Sequence, residues 1–390
     1  PAALSGDDLS RALFAAAEKD LPEFESGLQP MLATLPSSEA GRFGPTTVRY
    51  ALHRLFMRRH GWLIKGLDPE GQAWNSTTPA SAPLLRGLPR PARSLIQQRL
   101  ERPGLAQRDV ALLAALMENR VHQEAAERLR AVYHTLKMPT TGAVDTASGV
   151  HALAMYAAAF VYGHDPRQMK KTELAEDLLS MPETYPNWVK VWAAVQGLVR
   201  REAAGGSLEF ASAAKVVREI GEQFVNWQAS ECQAMKKSLL GLEDHGSGRV
   251  RLADFYGKSL HDGKWQLSES LPYLRQLGAL DESNPNNLRV IIPNYVNGAS
   301  NCLAASEHLA VCCTSECEAI QGHIERDLAA PEALPQDVAT LVAVLPSATV
   351  PGQRSLSTVM LHRLHGIAAG HEGKVPLHGR LFAQWLHHAY

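Results

Sequence analysis

Glu118 and His122 stand four residues apart in the stretch RDVALLAALMENRVHQEAAERLRAVYHTL, a spacing that lets a carboxylate and an imidazole of one helix reach a common ion. His53 and His60 are seven apart in HRLFMRRH, again on one helical face, with Phe56 and Met57 between them. Two helices brought together would supply three imidazoles and one carboxylate, a donor set suited to zinc, iron or copper. The same residues admit a second reading. Val110, Leu113, Met117, Val121, Ala125, Leu129, Val132 and Leu136 recur every three or four positions and mark a buried stripe. Glu118, Glu124 and Arg128 fall within it or at its margin. A carboxylate on such a face is costly unless paired or ligated, so an ion-pair network of Glu118 and Glu124 with His122, Arg128 and Arg54 would meet the need without metal.

A second candidate lies in LLGLEDHGSGRVRLADFY, residues 239–256. A calcium loop between two helices draws oxygens from positions 1, 3, 5, 7, 9 and 12 and needs Gly at 6 for its sharp turn. With Gly248 at position 6, Val250 takes the aliphatic position 8, and Glu243, Ser247 and Asp254 take positions 1, 5 and 12. His245 at position 3 is a poor calcium ligand, Asp254 is one methylene shorter than the usual Glu, and Arg251 sets a cation beside the site. Two further segments share the pattern of a helical lead, a Gly- or Asn-rich turn, a basic residue followed by Val, and an aromatic: LGALDESNPNNLRVIIPNY at 277–295 and GIAAGHEGKVPLHGRLF at 366–382. Their ligand positions are emptier still. The third has Ala368, Gly370 and Gly379 at positions 1, 3 and 12, and the second carries Asp281 and Ser283 but Pro285 where a side-chain oxygen belongs.

On these residues the portion from about Ser212 to Tyr390 resembles the EF-hand superfamily, specifically its degenerate members. The chain as a whole also resembles exported EF-hand-like proteins of dinoflagellates and other algae, a likeness that implies no particular activity. The EF-hand resemblance implies helix-loop-helix units that keep their shape, with residual calcium ligands at Glu243, Ser247 and Asp254 alone.

Cys302, Cys312, Cys313 and Cys317 crowd into NCLAASEHLAVCCTSEC, while Cys232 stands apart. Such crowding favours disulfides among the four and an oxidising compartment, secreted or in an organelle lumen, over a zinc site, because no second pair of suitable spacing is present. The odd cysteine is expected to pair with one beyond Tyr390 or to remain a thiol. Asn75-Ser76-Thr77 is an acceptor sequence for N-glycosylation and agrees with export.

The elements that must position these groups are helices. Apolar residues recur at helical spacing through most of the chain and alternating strand patterns are nearly absent, so the expected class is all-α. An N-terminal helical bundle is expected over 1–205, interrupted by an extended Pro- and Gly-rich loop at 69–91, and an EF-hand-like helical domain over 206–390, with the break at Gly205-Gly206. The basic run HRLFMRRH reads as one solvated helix face, and the histidines at 362, 365, 371, 378, 387 and 388 as a solvated surface. The chain opens at Pro1, as a processed or a trimmed chain does, and LFAQWLHHAY runs in helical spacing to the end, so a longer natural chain is expected.

Hydrophobic residues at 45%, charged residues at 20% and a formal net charge of -1 describe an ordinary globular chain and give no electrostatic case for nucleic acid. No apolar run reaches the ~20 residues needed to cross a bilayer. Nucleotide, hydrolase-elbow and zincin motifs are absent from the sequence. The expectation is a non-catalytic binding or assembly protein that holds a protein partner. Its rival is a metal-dependent enzyme, of redox or other type, using His53, His60, Glu118 and His122.

Overall fold

The stripe of Phe14, Ala17, Leu21, Phe24, Leu28 and Met31, all buried, makes one helix of α1 (Gly6–Leu32), which continues through Pro22 and Pro30. The computed structural model describes residues 6–67, 93, 94, 97, 104–185, 187–203, 205–245, 247–262, 265–303, 306–347 and 350–390. The loop expected at 69–91 and its Asn75 acceptor lie outside them. The described chain is mainly α-helical, with short strands where all-α was expected.

The chain gathers into two compact units, each discontinuous in sequence. The first comprises residues up to Arg58, Gly66–Arg120 and Ser315–Tyr390. It holds α1, α2 (Pro45–His60) up to Arg58 and the first part of α3 (Gln107–Thr135). A later run adds α4 (Glu316–Leu328), β1 (Glu332–Ala333), α5 (Pro335–Val344), α6 (Thr358–Ala369), β2 (Val375–Pro376) and α7 (Arg380–Ala389). Ile320, Ile324, Val338, Val342, Leu364, Phe382 and Trp385 form a core from this later run alone.

The second unit comprises Arg59–Lys65 and Val121–Thr314. Its first strand, β3 (Trp62–Ile64), pairs antiparallel with β4 (Leu309–Val311), Trp62 facing Val311. Between them in sequence lie β5 (Ala143–Asp145), α8 (Thr146–Tyr162), α9 (Lys171–Thr184), α10 (Trp188–Glu202), β6 (Ser207–Glu209) and α11 (Phe210–Leu240). There follow β7 (Arg249–Arg251), α12 (Leu252–Asp262), α13 (Leu271–Gln276), β8 (Leu280–Asp281), β9 (Arg289–Ile291) and α14 (Ile292–Val296).

One arrangement recurs. A helix ends, the chain turns into a two- or three-residue strand, and a second helix follows within a few residues. These strands pair antiparallel: β5 with β6, Val144 opposite Leu208; β7 with β9, Val250 opposite Val290; and β1 with β2, Ala333 opposite Val375. Four of the turns place a glycine two residues before the central aliphatic residue, at φ 78° for Gly142, 83° for Gly206, 70° for Gly248 and 84° for Gly373. A side chain is strained in that left-handed region, so glycine fixes the turn. Gly205 and Gly206, expected at a domain break, form the turn into β6. In the β7–β9 pair, Val250, Phe255, Val290 and Tyr295 are buried together, and the Phe255 and Tyr295 rings meet edge to face at 4.9 Å.

The basic run at 53–60 is not a solvated face, because Arg54 is fully buried. Of the six histidines expected on the surface, His378 turns inward while the other five are exposed.

Candidate functional site

Trp62 organises the histidine-containing cluster of the second unit. The strand pairing of β3 aims its indole inward, where Nε1 donates to the Gly221 carbonyl at 2.9 Å. The His60 ring stacks on it at 4.2 Å between centroids, and the His122 ring meets it edge-on at 6.0 Å. His122 Nε2 lies 3.0 Å from Glu222 Oε1, and Arg59 Nε donates to His60 Nε2 at 3.0 Å. Burial raises the Glu222 carboxyl, but the hydrogen bond and charge of His122, with His60 and Arg218 nearby, outweigh it and hold Glu222 below the usual carboxylate range. Trp62, Val121, His122, Tyr156, Phe160 and Leu309 contribute to the wall of a cavity of about 20 Å³, room for about one water.

Of the four residues offered as metal ligands, His60 and His122 flank Trp62 with their Nε2 atoms engaged by Arg59 and Glu222, while His53 and Glu118 are assigned to the first unit. Among the described residues no three His, Cys, Asp or Glu side chains gather so as to hold a metal ion. Of that stripe Val110, Leu113, Met117, Val121, Leu129 and Val132 are buried, together with Glu118, Glu124 and Arg128, while Ala125 and Leu136 are half-buried. Glu124 Oε1 accepts from the Glu307 backbone N–H at 2.8 Å and lies 3.9 Å from Arg167, while Arg128 reaches the His164 carbonyl and Asp165. Arg54, expected with that network, instead pairs with Glu318 and Glu325.

At the loop of residues 243–254 two of the three candidate calcium side chains, Glu243 and Asp254, are engaged by the protein itself, while the Ser247 hydroxyl is buried without a hydrogen-bond partner. Glu243 Oε1 accepts from the Gly248 backbone N–H and closes the turn, and Asp254 pairs with Arg251 at 2.8 Å. Arg249 reaches Asp281 at 2.8 Å, and Arg289, on the paired strand, reaches the same Asp281 oxygen at 2.9 Å and Asp244 at 3.7 Å. Ser247 contributes its carbonyl to Arg249 at 2.8 Å. Burial works against the Asp281 charge, yet the Ser283 hydrogen bonds and the two guanidiniums prevail and hold its carboxyl below the usual range. Where a calcium loop concentrates carboxylates around a divalent ion, these paired loops cross-link their carboxylates with arginines.

Two disulfides close the second unit, Cys232–Cys313 and Cys302–Cys312. The solitary Cys232 is thus a partner of the crowded segment, and Cys317, expected among the bridged residues, lies outside both and is exposed. The bridges flank β4. Cys312 N–H donates to the Gly61 carbonyl at 2.9 Å, and Val311 pairs across to Leu303.

A separate polar cluster lies in the interior of the first unit. Arg54 Nε donates to Glu318 Oε2 at 2.6 Å and its NH1 to Glu325, which Arg58 approaches at 3.6 Å. His378 Nε2 lies 2.9 Å from Thr34 Oγ1 and 3.5 Å from Glu325, and its Nδ1 lies 3.4 Å from the Tyr50 hydroxyl. Burial pushes the Glu325 carboxyl up against the pull of Arg54 and Arg58, while the same burial, aided by the Arg54 charge, lowers His378 to about 4. Tyr50, Arg54 and Arg58 repeat every four residues, a visible signal whose acidic partners lie far along the chain.

Comparison with known proteins gives no matching family model, no matching curated protein and no matching solved structure.

Proposed function

We propose that this chain is a non-catalytic binding or assembly protein, built from EF-hand-like helix-strand-helix pairs whose ion positions have been taken over by ion pairs, and that it works in an oxidising compartment. The observation that carries the reading is Asp281 bridged by Arg249 and Arg289 from the two paired strands. Two guanidiniums supply there the positive charge that a calcium loop takes from its ion. The recurrence of the pairs supports it, because a shape repeated after loss of its ligands points to selection for surfaces and grooves. The two disulfides support the compartment. Among the described residues no helix is long and apolar enough to cross a membrane.

The test is thermal unfolding in millimolar calcium and in chelator, joined to elemental analysis of the purified chain. Anything that binds the folded state alone stabilises it. The expected result is a melting temperature equal in both to within about 1 °C and no stoichiometric transition metal. A calcium-dependent rise, or a bound metal lost on His122→Ala, would return the chain to the ion-binding or metal-enzyme reading.

A further inference from the structure

We infer that His378 is an acid-released catch: neutral, it fastens the turn 376–379 to α2 and to the segment after α1, and on taking up a proton it lets that turn open. The inference goes beyond the binding reading above and shares no observation with it. Three elements meet at the ring, whose side chain is 14% exposed. Thr34, just after α1, has its Oγ1 2.9 Å from Nε2, and this hydroxyl already donates its single proton to the Met31 carbonyl at 2.7 Å. Thr34 can therefore only accept from the ring, which places the imidazole hydrogen on Nε2. Nδ1 is left as the acceptor, and the Tyr50 hydroxyl of α2 faces it at 3.4 Å. From α4, Glu325 Oε1 lies 3.5 Å from Nε2.

A proton arriving at Nδ1 would make an imidazolium in an interior whose charges are already matched. Arg54 pairs with Glu318 and Glu325, and Arg58 with Glu325, so neither carboxylate is left to the ring, and the Arg54 charge opposes it. A buried charge without its own counterion is costly. Opening one turn relieves it at less cost than unfolding the chain. Three hydrogen bonds hold this turn: Leu377 N–H to the Pro331 carbonyl at 3.0 Å, Gln321 Nε2 to the Leu377 carbonyl at 3.1 Å, and Gly379 N–H to the Pro376 carbonyl at 3.1 Å. Beyond it Phe382 and Trp385 are buried and anchor α7, which confines the opening. Glu325 acts in the opposite sense, because burial pushes its carboxyl up and the folded chain takes that proton more readily. Protonated histidine is a common means of biasing such two-state elements.

Amide hydrogen exchange of the full-length chain at pH 7.0 and 4.5, read by mass spectrometry and corrected for the intrinsic exchange rate, tests the inference. Peptides covering 375–380 should lose at least about tenfold in protection at pH 4.5, since a folded value of about 4 against roughly 6.5 in the open turn allows up to about 75-fold. Peptides from α5 should keep theirs. His378→Gln, whose amide can serve Thr34 and Tyr50 without titrating, should show no such loss, and this variant leaves the Glu325 effect in place. An equal loss in His378→Gln, or a loss shared evenly with α5, would overturn the inference. If His378→Gln does not fold, exchange of the imidazole C2 hydrogen in the unaltered chain decides. A midpoint for His378 near 4 upholds the catch, and one near 6.5 removes it.

Discussion

Arg54 has no exposed surface and faces two carboxylates of α4, so its removal strands Glu325 in the interior. Breaking one side of a buried pair costs about 3–5 kcal/mol, whereas replacing both partners by apolar groups is often neutral. Urea unfolding of Arg54→Ala should show a loss of that size, and the double variant Arg54→Met, Glu325→Leu should recover most of it. His378 makes the same interior sensitive to acid. Its folded value of about 4 lies below the roughly 6.5 of an exposed imidazole, so between these values the unfolded chain binds the extra proton. Its contribution is fully present above pH 6.5 and is lost as pH falls toward 4, a change of roughly 3 kcal/mol. Urea midpoints at pH 7.5 and 4.5 should therefore diverge, and His378→Gln should narrow the gap. The arginine stripe on α2 is legible at this scale, but spacing alone reads it as a solvated face. Helical spacing says which residues share a face, and not what lies opposite, when the partners are more than 250 residues away.

The strand pairs show how short elements escape a reading by period. Two or three residues cannot alternate long enough to register, so the helices were legible and the strands were not. The stronger signal is Gly, any residue, then Val or Leu after a helix: GAVD, GSLE, GRVR and GKVP at 142–145, 206–209, 248–251 and 373–376. The third and fourth of these belong to the repeats visible at 240–256 and 366–382, and the first two carry the same left-handed glycine without the rest of that pattern. The partner of Val375 escaped for a different reason, since Ala333 is preceded by Pro331 in place of a glycine. Asp281→Asn should destabilise the β7–β9 pair by about 1–3 kcal/mol, because two guanidiniums lose their charged acceptor. Millimolar calcium should not restore the loss in a thermal melt. Of the disulfides, Cys232–Cys313 closes an 81-residue span and Cys302–Cys312 a 10-residue span. Loop-closure entropy assigns them about 4.5 and 2.7 kcal/mol. Guanidinium unfolding should thus show the larger loss for Cys232→Ser, Cys313→Ser. Crowding announced that bridges exist, but pairing depends on where α11 carries Cys232, which local sequence does not state.

For the whole molecule, helical class follows from apolar spacing, whereas the division into units is written in pairings between distant segments. Residues 59–65 are the clearest case. Seven residues near the start of the chain belong with a unit whose remainder begins at Val121, because β3 needs β4 as its hydrogen-bonding partner. That partner is made roughly 250 residues later. During synthesis β3 must therefore wait, its backbone groups unmatched and the Trp62 side chain without its native cover, until most of the polypeptide has emerged. Contacts of such long range are slow to form and leave a window for aggregation. The burial of Trp62 should be among the last events of refolding, with its indole fluorescence trailing the recovery of helical circular dichroism. A helper that shields the nascent segment 59–65 would then govern how much native protein a cell obtains.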